Sequence, residues 1–135
     1  MCITKFLTII LAFILIDAPY LYLNRNLYRN KIKSISGQST FTSRYYSGLI
    51  VYIALALGLI TLVLPRIHKG STSDILADSI LYGGVFGLVA YATFDFTLHF
   101  MFEGWNLGVS VMDTLWGGVL CTIVAFIITF YSSSK

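Results

Sequence analysis

Charge is scarce in this chain: Asp, Glu, Lys and Arg make up 11% of its 135 residues, while 57% are hydrophobic. Soluble domains carry roughly 25% charged residues, so a water-soluble fold of this size would lack a polar surface. Cysteine is equally sparse. Cys2 lies at the amino terminus and Cys121 deep in the last apolar run, a pair that offers no structural disulfide and no C-x-x-C metal or redox spacing. The catalytic fingerprints are missing as well. There is no H-E-x-x-H, nucleophile elbow, P-loop or dinucleotide-binding glycine pattern, so no named enzyme chemistry follows from a motif. Basic patches interleaved with aromatics are absent too, and nucleic acid is not an expected partner.

What the chain does have is long apolar runs. A bilayer core about 30 Å thick needs about 20 mostly apolar helical residues per crossing. Four stretches meet this, at about residues 5–24, 46–64, 75–102 and 107–131. The expectation is an all-α, multi-pass integral membrane protein, a single domain over residues 1–135 folded as an antiparallel up-and-down bundle of four transmembrane helices. The first run, Phe6 to Ile16, has the length of a signal-peptide core. Asp17-Ala18-Pro19-Tyr20 follows it in place of a small-x-small cleavage site, and apolar character resumes through Leu23, so it is expected to stay as a span. The second run stops at Pro65-Arg66, where proline cannot continue a helix comfortably and arginine is costly in hydrocarbon. Ser73-Asp74 offers a cap for the third helix, and Glu103-Gly104-Trp105-Asn106 marks its end as a tight turn with an interfacial tryptophan.

Residues 24–45 form a basic loop carrying Arg25, Arg29, Lys31, Lys33 and Arg44, with a Ser/Gly/Gln/Thr stretch from Ser34 to Ser43. It reads as a basic helix extension followed by a flexible turn, placed to gather anionic lipids from the bilayer. Let side B be the membrane face bearing this loop, and side A the face bearing both termini. Side A holds Lys5, Arg66, Lys69 and Lys135, so the positive-inside comparison is five against four and tips side B only marginally toward the cytoplasm.

Ionisable residues inside spans cost about 2.5–3.5 kcal/mol on insertion scales and therefore need partners. Asp17, Asp95 and Asp113 lie in three different spans. At a rise of about 1.5 Å per residue, each sits roughly 10 Å below side B. Tyr52 brings a phenol from the second span to the same depth. Helical spacing places Asp17, Tyr20, Asn24 and Tyr28 on one face, and Tyr91, Asp95 and His99 on another. Stripes of small residues accompany them: Gly83 and Gly87 lead by i+4 steps to Tyr91 and Asp95, and Asp113 leads to Gly117, Cys121 and Ala125. Such stripes pack helices closely in membranes.

Two readings of the layer stand side by side. In one, each aspartate is a packing residue paired with Tyr20, Tyr52, Tyr91 or Thr97, with Trp105 and Trp116 anchoring or packing. In the other, Asp17, Tyr20, Tyr52, Tyr91, Asp95, His99 and Asp113 form one pocket open to side B. Three nearby carboxylates cannot all ionise without a cation, so they would keep or share protons, or take up a basic loop residue or a metal. If a metal is held, its ligands are Asp17, Asp95 and Asp113. No cofactor is required, and a divalent cation is the one candidate.

The segment Gly83-Gly84-Val85-Phe86-Gly87-Leu88-Val89-Ala90-Tyr91-Ala92-Thr93-Phe94-Asp95-Phe96-Thr97 resembles the hallmark of the small membrane proteins grouped as "domain of unknown function 2177". Asp17-Ala18-Pro19-Tyr20-Leu21 is similar to that family's ending of the first span, and Gly104-Trp105 with Asp113-Thr114-Leu115-Trp116-Gly117 to its last hairpin. Leu98 stands where relatives tend to have Asn, and Asn106 where Pro is usual. The resemblance implies four spans and supplies no reaction. Three roles then follow from the residues. The first is binding or transport of a small solute, cation or proton through the Asp/Tyr pocket, with a homo-oligomer expected because four short helices enclose little volume. The second is a lipid-binding or lipid-modifying membrane enzyme, and the third is a structural assembly protein.

Overall fold

The computed structural model describes residues 2–37 and 44–134. Among these residues every regular element is helical, and four helices are long and apolar enough to cross a membrane: α1 Ile3–Ser36, α2 Tyr45–Arg66, α3 Thr72–Met101 and α4 Leu107–Ser133. Outward-facing side chains such as Leu7, Leu11, Leu15, Val89 and Val119 are exposed, which suits helices solvated by lipid tails rather than water.

The first helix runs on well beyond residue 24, to Ser36. Lys and Arg are good helix formers, and nothing breaks the helix until Gly37. There the backbone turns left-handed, at φ 67°, and the Gly37 N–H donates to the Lys33 carbonyl. At about 1.5 Å per residue, a helix of 34 residues spans about 51 Å, far more than the hydrocarbon core. Its basic end therefore rises past the membrane interface as a continuous helix. Gly104, in the turn between α3 and α4, packs under it, since a Cβ there would lie 3.2 Å from Ile35 Cγ1. Most of the polar turn expected at Ser34–Ser43 lies outside the described residues.

The second and third helices are not regular throughout. A π-helical turn, Leu59–Val63, and a short 3-10 turn, Leu64–Arg66, finish α2 around Pro65. In α3 a second π turn, Ser79–Gly84, separates the α-helical stretches Thr72–Asp78 and Val85–Met101. The two π turns pack against each other in the side A half. The α3 cap sits two residues earlier than Ser73-Asp74. Ser71 is the cap, its Oγ accepting from the Asp74 N–H while the Asp74 carboxylate accepts from the Ser71 N–H. This reciprocal box satisfies two otherwise orphaned donors, which Ser73 as the cap would not. At the start of α4 the Asn106 side chain accepts from the Val109 N–H, so the amide fills the cap position directly.

Packing is closest between α3 and α4, which run antiparallel. A Cβ on Gly87 would come 2.0 Å from the Gly117 carbonyl oxygen, and one on Gly117 would come 2.2 Å from Tyr91 Cγ. Both obstacles are fixed, one being backbone and the other the root of a half-buried ring, so only glycine permits this approach. The core beside the seam is aliphatic and built from all four helices, with Ile9, Phe13, Leu59, Val63, Leu120 and Val124 fully or almost fully buried.

Gly87→Ala should lower the unfolding free energy in detergent by about 1–3 kcal/mol or more, the range for overpacked cores. Gly48→Ala, where nothing lies within 4 Å of the new methyl, should leave it unchanged. Thermal unfolding of the two variants side by side checks this.

Candidate functional site

Asp17 is buried on α1, one turn before the helix passes Tyr20. Both of its carboxylate oxygens are engaged. Tyr52 of α2 donates its hydroxyl to Oδ2 at 2.8 Å, and Trp116 of α4 donates its indole N–H to Oδ1 at 2.7 Å. One carboxylate thus ties three helices together, with a hydrogen bond to each of two neighbours.

Asp113, also buried, is reached from α1 twice. The Tyr20 and Tyr28 hydroxyls donate to its Oδ1 at 3.0 and 2.7 Å, and the two phenol oxygens stand 3.1 Å apart. The spacing of eight residues is two helical turns and a little more, which is why both rings leave α1 on the same side. Tyr20 also stacks flat on Trp116, with ring centroids 4.6 Å apart and planes 7° from parallel. The sets around Asp17 and Asp113 are therefore one continuous structure, joined through the Tyr20–Trp116 stack.

Asp95 differs from both. It is completely buried on α3, and neither of its carboxylate oxygens accepts a hydrogen bond from any described donor. The group it meets is another acid, the Asp113 carboxyl, near enough for a hydrogen bond when one of the two carries a proton. Its main chain is held firmly. Ser110 of α4 donates its hydroxyl to the Asp95 carbonyl at 3.1 Å, and Ser110 in turn accepts from the Trp105 indole N–H at 3.0 Å.

A cavity of about 460 Å³ opens beside this layer, between α1, α3 and the turn before α4. Asp17, Asp113 and Arg25 are the charged residues on its lining, and Tyr28, Tyr91, Phe94, Leu98 and Trp105 line it as well. A second cavity, about 300 Å³, lies on the other side of Tyr91 and Phe94 and also reaches Asp113. Tyr91 and Asp113 line both spaces.

His99 is exposed on α3 and does not join the hydrogen-bonded set. Thr97 is not a carboxylate partner either: its hydroxyl donates back to the Thr93 carbonyl on the exposed face. Among the described residues no three His, Cys, Asp or Glu side chains are grouped as a metal site.

Four participants escaped the sequence reading of the pocket. Helical spacing puts Tyr28 on the Asp17 face, but spacing within one helix does not identify Asp113 of α4 as its partner. Trp116 and Trp105, expected to anchor or pack, are also donors: Trp105 is 7% exposed and bonded to Ser110, and Trp116 is bonded to Asp17. The available signal was physical, since a tryptophan inside a span must find an acceptor for its N–H. Ser110, one turn before Asp113, is fully buried beside it in sequence, and small hydroxyls in spans commonly bond across helices.

A family model described as "Predicted membrane protein (DUF2177)" matches residues 2–130 of the chain. No curated protein and no solved structure matches it.

Trp116→Phe keeps the ring stacked on Tyr20 but removes the donor to Asp17. Leaving a buried carboxylate oxygen unsatisfied costs about 1–3 kcal/mol, so the variant should unfold at lower temperature. Tyr52→Phe should do the same. The double variant, measured as a cycle, should be non-additive because both hydroxyl and indole serve one carboxylate.

Proposed function

The chain belongs to the DUF2177 family of predicted membrane proteins, and from that premise we propose that it binds, and in binding carries, a small solute or cation together with protons in its intramembrane Asp/Tyr pocket. The observation that supports this is the state of Asp95. A carboxylate with no donor, buried against a second carboxylate, is a costly arrangement unless a proton or cation is shared between the two. Packing needs no such group. Asp17 illustrates the contrast, because its two oxygens are satisfied by Tyr52 and Trp116 and it serves as a latch between helices.

The division of labour is then specific. Asp95 and Asp113 are the exchanging groups, Tyr20 and Tyr28 stabilise charge on Asp113, and Tyr91 separates the two cavities that meet there. Either cavity supplies a path by which a proton or solute reaches the pair. One chain already encloses about 460 Å³, so the role requires no second copy, and an oligomer would serve stability or coupling.

A lipid-linked role is favoured by one separate observation. The cavity runs along the basic end of α1, with Arg25 on its lining and Arg29, Lys31 and Lys33 continuing the helix. Each basic residue near an anionic leaflet contributes about 1 kcal/mol of attraction. The basic extension is accordingly the part of the molecule proposed to gather anionic lipid, with Arg25 on the cavity lining and the other basic residues beyond it.

Reconstituted protein should move protons or a monovalent cation across vesicles under an imposed pH difference, and Asp95→Asn should abolish that flux while the protein stays folded. Infrared difference spectra should show a protonated carboxyl that disappears in the same variant. No flux, with an unchanged carboxyl signal in Asp95→Asn, would overturn the reading.

A further inference from the structure

The larger cavity has a shape and lining that select among small solutes. We propose that it takes an organic ammonium ion with an apolar body, which displaces a proton held between Asp95 and Asp113. The inference rests on the pocket reading above and names its substrate class.

Size is the first argument. Small-molecule sites run from about 300 to 1,000 Å³, and about 460 Å³ is far more than a bare inorganic cation fills. Such an ion would need a cage of oxygens, and the walls here are rings and aliphatic chains. An organic body fits that lining.

Charge is the second. The cavity lining carries two acids, Asp17 and Asp113. Among the described residues the basic side chain on its lining is Arg25, eight positions along α1 from Asp17, or about 12 Å away. Arg25 is stacked over the Tyr22 ring at 4.5 Å. An anion entering the cavity would face two carboxylates against a single basic side chain on the lining. A cation would find both carboxylate and the faces of Tyr28, Tyr91, Phe94 and Trp105, aromatic rings that attract ammonium groups.

The third is Asp95, wholly buried behind Asp113 with no donor to either oxygen. The groups facing this pair are Asp113 itself and, through it, Tyr20 and Tyr28 from α1, with Tyr91 on the same helix as Asp95. Asp17, bonded to Tyr52 of α2 and Trp116 of α4, lines the same cavity as Asp113. None of these is a base that could neutralise the pair. In the empty site one proton lies between the two carboxyls. When the ammonium ion arrives, that proton leaves to solvent, so one positive charge enters as one departs and the pocket's net charge is unchanged.

The test uses the full chain in detergent with phenethylammonium and with 2-phenylethanol, a neutral molecule of nearly the same size. Calorimetry should show the ammonium ion binding about tenfold or more tighter than the alcohol. In weak buffer about one proton should be released per ion bound, and affinity should rise with pH. Asp113→Asn should cut ammonium affinity about tenfold or more. Leu98→Trp, which fills the cavity without touching a carboxyl, should do the same while leaving infrared carboxyl signals intact, so a folding defect in Asp113→Asn does not decide the matter. Equal affinity for the two probes overturns the proposal, as does ammonium binding untouched by Leu98→Trp. If those failures occur while Asp95→Asn still removes the protonated carboxyl, only the substrate class is wrong; if that signal also persists, the pocket reading falls with it.

Discussion

An aspartate placed inside a bilayer costs about 2.5–3.5 kcal/mol on insertion scales, and the cost is offset only where donors reach it. In this bundle the donors come from other helices. Tyr52 and Trp116 cross to Asp17, and Tyr20 and Tyr28 cross to Asp113, so satisfying the acids and assembling the bundle are the same event. Without water as an alternative partner, a helix that drifted would leave a carboxylate bare. The polar layer therefore sets the rotation and register of α1, α2 and α4 in a way that lipid-facing aliphatic packing, with no hydrophobic drive between helices, does not.

The seam between α3 and α4 answers a different requirement. Glycines at Gly87 and Gly117 bring the backbones together, and the gain is dispersion between closely packed surfaces. That seam also holds Asp95 in place through Ser110 and Trp105. The result is that Asp95, with no donor among the described residues, is also immobilised at its main chain, next to Asp113. A strained electrostatic arrangement persists only where surrounding structure holds it, and here two hydrogen bonds and the glycine contact do so. The layer thus divides into a satisfied half around Asp17, which stabilises, and an unsatisfied half around Asp95, which is available for exchange.

Much of this was legible in the residues. Four apolar runs of sufficient length, with almost no charge to form a wet surface, allow few alternatives to a four-helix membrane protein. The depth of Asp17, Asp95 and Asp113 follows from rise per residue alone, and i±4 spacing puts Tyr20 and Tyr28 on the Asp17 face. Less legible was where helices end. The basic stretch after Asn24 reads as a helix extension followed by a turn, and the structure carries that helix to Ser36, where Gly37 stops it. The π turns at Leu59–Val63 and Ser79–Gly84 leave no periodic trace, because one extra residue per turn shifts the following face by about 100°.

Sequence by itself determined the class of protein, its four candidate spans and which three of them carry an acid, since length, hydropathy and residue identity are properties of each segment taken alone. Only the tertiary structure decided which donor meets which acid. Trp116 satisfies Asp17 rather than anchoring at an interface, Tyr28 reaches Asp113, His99 faces outward, and Asp95 is left against a second carboxyl. Those outcomes depend on the azimuth of each helix and on how closely glycines let neighbours approach. Both are settled by packing between segments distant in the chain.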